Sequence, residues 1–144
     1  MSIPIQVTFD AANPAALSEF WAIALEYVLQ PPPSGFDSWE DWATAMEIPK
    51  ENWNDASAVI DPNGNGPRLL FQRVPEGKTA KNRVHLDVNA GGGHGVDYVD
   101  KVDAVDRHVD ALLHAGATKL AVFAERGEYW VVMQDPEGNE FCVQ

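Results

Sequence analysis

The chain reads as an α+β protein built from two βαβββ modules, and three observations predict it. First, a turn and strand occur twice. Asp61-Pro62-Asn63-Gly64-Asn65 leads, after two extra residues, into Arg68-Leu69-Leu70-Phe71-Gln72, and Asp135-Pro136-Glu137-Gly138-Asn139 leads directly into Glu140-Phe141-Cys142-Val143-Gln144. Second, a strand followed by an amphipathic helix lies upstream of each copy. Third, a polar stretch, Pro75 to Asn82, separates the two halves. A repeat of this length implies two similar modules facing each other, with a cleft between them. Module 1 is expected at about 1–75 with a tryptophan-rich insert at about 31–55, the linker at about 75–82, and module 2 at about 83–144.

Each element follows from local pattern. Ile3 to Asp10 alternates, with Ile5, Val7 and Phe9 on one face and Gln6 and Thr8 on the other, as a half-buried strand does. Asn13 is placed to cap a helix, and Pro14 suits its first position. Leu17, Phe20, Trp21, Ala24, Leu25 and Val28 recur at helical spacing, and Pro31-Pro32-Pro33 is expected to end that helix. In the insert, Ser38 precedes Trp39, Trp42, Ala43 and Met46 at i, i+3, i+4, i+7, which predicts a short capped helix. Strands are expected over 56–60, 68–74, 83–90, 118–124, 129–134 and 140–144. A second long helix carries Val102, Val105, Val109, Leu112 and Leu113 and closes at Gly116.

Composition narrows the function classes. The 144 residues are 45% hydrophobic and 22% charged, which describes a globular chain of about one domain. Ten Lys+Arg against 22 Asp+Glu give a net charge of −12. Nucleic acid needs a basic face, and so does an anionic membrane surface, so neither is an expected partner. The single cysteine, Cys142, excludes an internal disulfide. No signal-peptide pattern opens the sequence and no apolar run is long enough to span a bilayer, so a cytoplasmic protein is expected.

The order of elements, with Phe9-Asp10 through Ser18-Glu19-Phe20-Trp21, Leu70 through Pro75, Asn82-Arg83-Val84-His85-Leu86-Asp87-Val88 and Trp130 through Cys142, resembles the vicinal oxygen chelate superfamily, in its glyoxalase-like, bleomycin-resistance-like branch. The resemblance covers nearly the whole chain apart from the tryptophan-rich insert. It implies the glyoxalase/bleomycin resistance/dioxygenase fold, with two modules forming a cup of half-open mixed sheet, and a homodimer. It also implies that a divalent metal often sits in the cup, held by His or Glu from the first and last strands of each module. The internal repeat maps those four positions onto Gln6, Leu70, His85 and Cys142. Leu70 cannot ligate and Gln6 is a poor ligand, so only His85 and Cys142 remain as metal candidates. Asp87, His94 and Glu140 stand in reserve away from the family positions. No cofactor is therefore expected, with a divalent metal kept as the alternative.

His85 and Asp87 share a strand face and are the catalytic candidates. Imidazoles titrate near neutrality and serve as general bases, with a carboxylate to orient them. Both residues also suit a purely organising hydrogen bond. Gln6, Thr8, Leu70, Gln72 and Cys142 are candidates to line a small-molecule site, and Trp39, Trp42 and Trp53 either wall that site or form a lid on the core. Three functions remain open. One is lyase or isomerase chemistry of the glyoxalase type on a small polar, carbonyl-bearing molecule. The others are drug sequestration without turnover and a non-catalytic regulatory or scaffold module.

Overall fold

The computed structural model describes all residues from Met1 to Gln144. The chain divides into two compact units, Met1–Gly77 and Lys78–Gln144.

The first unit runs β1 (Val7–Ala11), α1 (Pro14–Leu25), β2 (Val28–Leu29), α2 (Trp39–Ala45), a 3₁₀ turn (Lys50–Asn52), β3 (Ala56–Ile60) and β4 (Leu69–Arg73). Its sheet has the order β1-β4-β3-β2, with β1 parallel to β4 and the remaining pairs antiparallel. One face of the sheet packs on α1. Leu17, Phe20 and Trp21 of the helix are buried with Val59, Leu69 and Phe71 of the strands. Trp21 meets Phe9 at 5.1 Å and Phe20 edge-on at 5.7 Å between ring centroids. Burying side chains of this size contributes about 1.5–3 kcal/mol each. The Asn13 side chain accepts the Ala16 N–H at 3.3 Å, as the sequence predicts for a cap.

The second unit repeats that path: β5 (Asp87–Val88), α3 (Tyr98–His114), β6 (Thr118–Glu125), β7 (Glu128–Gln134) and β8 (Glu140–Val143). Its sheet order, β5-β8-β7-β6, is the same permutation, again with the first strand parallel to the last. Val105, Val109 and Leu112 of α3 are buried along with Val131, Met133, Phe141 and Val143. The duplicated turns serve one purpose in both units. Asp61 accepts from the backbone N–H groups of Asn63, Asn65 and Gly66, and Asp135 from those of Glu137 and Asn139, so each carboxylate holds its own loop closed.

Three expectations fail at element ends. The first strand starts at Val7 and leaves Ile3 and Ile5 exposed. The parallel register pairs Val7 with Leu69, so Ile5 would fall opposite Pro67, which has no N–H to give a ladder. α1 stops at Leu25, well before the triple proline, because Glu26 takes a left-handed conformation (φ 55°) and Tyr27 N–H bonds back to Ala22 O. Val28 therefore leaves the helical stripe and pairs with Ile60 in β2. β5 is only two residues long. Its register with β8 would set Val84 opposite Asn139, inside the Asp135 turn, and Val84 is exposed.

Candidate functional site in the second unit

Alternation decides which side chains are free to meet a ligand. In β8, Phe141 and Val143 point into the core and Cys142 points the other way. β7 does the same, burying Val131 and Met133 and turning Trp130, Val132 and Gln134 to the face away from α3. Cys142 lies directly opposite Asp87 on one side and Val132 on the other.

Asp87 and His85 stand two residues apart on that same face, with His85 Nε2 at 3.5 Å from Asp87 Oδ1. Their side chains are 46% and 45% exposed, so both remain open to an incoming molecule. One ligating atom from each of His85, Asp87 and Cys142 lies within 4.8 Å of the others. Burial, then the negative charge of Asp87, push the Cys142 thiol above its ordinary range, against a smaller opposing pull from Lys81. At neutral pH this cysteine is a thiol, which argues against a nucleophilic role. Glu140 is spoken for elsewhere. It accepts the Asn82 N–H at 3.0 Å and pairs with Lys78 at 3.0 Å, and these hold its carboxyl down to about 2.

An aromatic pair shares this face that sequence reasoning passed over. Phe123 pairs with Trp130 across β6 and β7, and their rings stack at 5.2 Å with 16° between planes. Trp130 is two residues from Val132, roughly 7 Å along the strand. The alternation of Tyr129 to Gln134 places Trp130 with Val132 in the sequence alone. Only the cross-strand register brings Val132 opposite Cys142, with Trp130 two residues further along the same face.

The expected residues of the first unit form a different arrangement. Gln6 Nε2 donates to Thr8 Oγ1 at 3.3 Å, and Leu70 lies opposite Thr8. Arg68 donates to Gln6 Oε1 and to Gln30 Oε1, both at 2.7 Å. Trp39 Nε1 donates to the Gln30 carbonyl at 2.7 Å and its ring meets Trp42 edge-on at 5.5 Å. A continuous hydrogen-bonded chain thus runs from the tryptophan pair to Thr8. Trp53 is pinned separately, its indole N–H on Ile48 O at 2.9 Å. Gln72 is bound to Asp10 at 3.0 Å, and Arg73 is paired with Asp55. Asp87 has the His85 ring as its neighbour at 3.5 Å, while Arg68 and Arg73 are engaged within the first unit.

The chain belongs to the glyoxalase-like domain family, whose family model matches residues 6–144. No curated protein matches it. Among solved structures it is similar to a possible glyoxalase from Bacillus cereus, at 13% identity and a TM-score of 0.62, covering 100% of this chain and 99% of that one. The fosfomycin resistance protein FosX from Mesorhizobium loti is similar at 8% identity and a TM-score of 0.62, covering 100% and 91%. A bleomycin-binding protein from Streptomyces verticillus, complexed with copper(II)-bleomycin, is similar at 13% identity and a TM-score of 0.55, covering 100% and 96%. At these identities the likeness is one of fold, that of the vicinal oxygen chelate proteins. No helix is long and apolar enough to cross a membrane.

The family implies a divalent metal, and the residues present fit one only in part. Gln6 and Leu70 offer nothing that a transition metal would choose. His85, Asp87 and Cys142 offer an imidazole, a carboxylate and a thiol, the three donor types of a zinc site. A tetrahedral zinc with bonds of about 2.0–2.3 Å spaces its ligands roughly 3.3–3.8 Å apart. Ligand atoms within 4.8 Å of one another therefore need only draw in by about an ångström.

Proposed function

We propose that the chain acts on a small polar, carbonyl-bearing organic molecule bound on the open face of the second unit. His85 moves the proton in a reaction of the lyase or isomerase type. The observation that carries this is the His85–Asp87 pair, 3.5 Å apart and half exposed, on the sheet face that also presents the stacked Phe123–Trp130 pair. With Asp87 Oδ1 3.5 Å from Nε2, Nδ1 is the nitrogen left to take the substrate proton, and the carboxylate steadies the imidazolium that results. The aromatic pair offers a flat apolar surface for the rest of the molecule. A symmetric homodimer in the cytoplasm completes the proposal.

The reaction is followed without knowing the product. Candidate α-hydroxy and α-keto compounds are incubated with the protein in D₂O under a chelator, and loss of the α-proton is followed by NMR. Exchange that His85→Ala abolishes in a folded protein supports the reading. Exchange that is equal in the variant overturns it.

One observation favours a second reading, sequestration without turnover. Trp39 is 41% exposed beside Trp42, and the acidity of the chain suits a cationic ligand. The fold is shared with a bleomycin-binding protein. This reading predicts ligand-dependent quenching of tryptophan fluorescence with the ligand recovered intact. No quenching and no thermal shift with candidate drugs at saturating amounts would remove it.

A further inference from the structure

We infer that the open face of the first unit holds a carboxylate-binding site built on Arg68, suited to a small organic acid with a flat apolar body. The inference stands apart from the proton transfer proposed for the second unit.

The guanidinium is held in place by neutral groups. Arg68 comes one residue before β4, and alternation puts it with Leu70 and Gln72 on the face away from α1. Its Nε donates to Gln30 Oε1 and its Nη1 to Gln6 Oε1, both at 2.7 Å. None of the ion pairs in the structure includes it. Of the acids on these strands, Asp61 gives its carboxylate to the N–H groups of its own loop. Asp10 takes Gln72 and lies opposite it, four residues along from Arg68, or about 13 Å. Amide oxygens thus orient the guanidinium and leave its charge uncancelled.

A guanidinium only donates, and this fixes the sense of every bond attached to it. Gln6 turns its oxygen to Arg68, so its Nε2 is the atom that donates to Thr8 Oγ1 at 3.3 Å. Thr8 accepts there, and its own O–H is left to donate. Gln30 likewise gives its oxygen to Arg68, which leaves its Nε2 donors without an acceptor. Nη2 of Arg68 has none either. Arg68, Gln30 and Thr8 therefore present unused donors, and a carboxylate, which only accepts, matches them.

Gln30 also fixes the apolar part of the site. Its backbone carbonyl accepts the Trp39 indole N–H at 2.7 Å, so indole and guanidinium are anchored to one residue. Trp39 is 41% exposed, and Trp42 braces it edge-on at 5.5 Å. A ring laid on Trp39 and a carboxylate on Arg68 would use both. The chain carries −12 overall, yet the charge anchored beside this indole is positive, so the site takes an anion against the sign of the whole chain.

Benzoate is titrated into the ¹⁵N-labelled full-length protein, and the Arg68 Nε–H, the Gln30 side-chain amide and the Trp39 indole N–H are followed. The three signals are expected to shift together and saturate with one Kd. Benzamide and benzylammonium are each expected to bind about tenfold or more weakly, because neither brings a carboxylate to the fork. Inorganic phosphate, which has no ring for Trp39, is expected to bind more weakly than benzoate. Arg68→Lys is expected to weaken benzoate by about tenfold with the circular dichroism unchanged, because an ammonium lacks the planar fork. Gln30→Ala, which keeps the guanidinium but removes one brace, is expected to weaken it as well. No shift of the Arg68 signal in decimolar benzoate would overturn the inference. So would benzamide, benzylammonium or phosphate binding as tightly as benzoate, or benzoate binding that Arg68→Lys leaves unchanged. Benzoate has no α-proton, so the result is independent of the chemistry assigned to His85.

Discussion

His85 Nε2 faces Asp87 Oδ1 at 3.5 Å, two residues apart on the open face of the second sheet. Gln6 and Thr8 meet in the same way at the matching positions of the first sheet. The fold thus offers two equivalent stations, and the choice of side chains makes one of them a hydrogen-bonded strut and the other a cluster of imidazole, carboxylate and thiol. The first station is also tied into Arg68, Gln30 and Trp39, whereas the second stands open beside a stacked aromatic pair.

Because His85 and Asp87 are half exposed, their pairing contributes little to folding, about 0–1 kcal/mol. His85→Ala is expected to leave the urea midpoint almost unchanged while α-proton exchange falls by about 10²-fold or more. Paired denaturation and exchange measurements check both halves. A large loss of stability would make the residue structural.

Glu140 ties the start of the second unit to its last strand. Its carboxyl is held down from 4.5 to about 2 by the Asn82 N–H and then Lys78. A depressed carboxylate gives its stabilisation in full above the unfolded value and loses it as pH falls through the folded one. The stability gap between wild type and Glu140→Gln is therefore expected to be constant at neutral pH and to close between pH 4.5 and about 2. Urea midpoints across that range test it, and a gap independent of pH would contradict the assignment.

Burial and Asp87 raise the Cys142 thiol, so iodoacetamide should modify the metal-free protein slowly up to and beyond the ordinary thiol value of 9.0. Removing the neighbouring charge lets the thiolate form more readily. Asp87→Asn is expected to speed alkylation at fixed pH, as mass spectrometry over time would show. An unchanged rate would mean that Asp87 does not face the thiol.

Gly91 follows β5 and donates its N–H to the Gln144 carbonyl at 2.8 Å. A Cβ there would meet Lys101 Cγ at 2.7 Å, Val105 Cγ2 at 3.2 Å and the Gln144 carbonyl carbon at 3.3 Å. Val105 is fully buried and Gln144 contributes backbone, so neither gives way easily. Gly91→Ala is expected to cost about 1–3 kcal/mol, read as a lowered urea midpoint.

Elements with a strong local signature were legible in the sequence. The capped helix at Pro14, the αL glycine at Gly116 (φ 110°) and the strand Ala56–Ile60 all stand where the pattern placed them. Element ends that depend on a partner were not. Ile5 has the alternation of a strand residue but no ladder opposite it, and Val84 faces a turn. The site shows the same division. That His85 and Asp87 share a face was legible, because alternation sets it, and the structure keeps them 3.5 Å apart although the strand begins only at Asp87. Cys142 as the partner of Asp87, and Phe123 as the partner of Trp130, depend on cross-strand register, which no local pattern carries. The three tryptophans of the insert stood out by density. The structure spends Trp53 on a backbone hydrogen bond and leaves Trp39 exposed.

Where a ligand sits is read by amide chemical-shift mapping of the ¹⁵N-labelled protein during titration with the carbonyl compounds of the exchange assay. The amides of Asp87, Val132 and Cys142 are expected to shift together and saturate with a single affinity. His85→Ala is expected to weaken that binding without moving the remaining spectrum. Shifts confined to Trp39 and Trp42, with the second sheet silent, would contradict a site on the open face of the second unit.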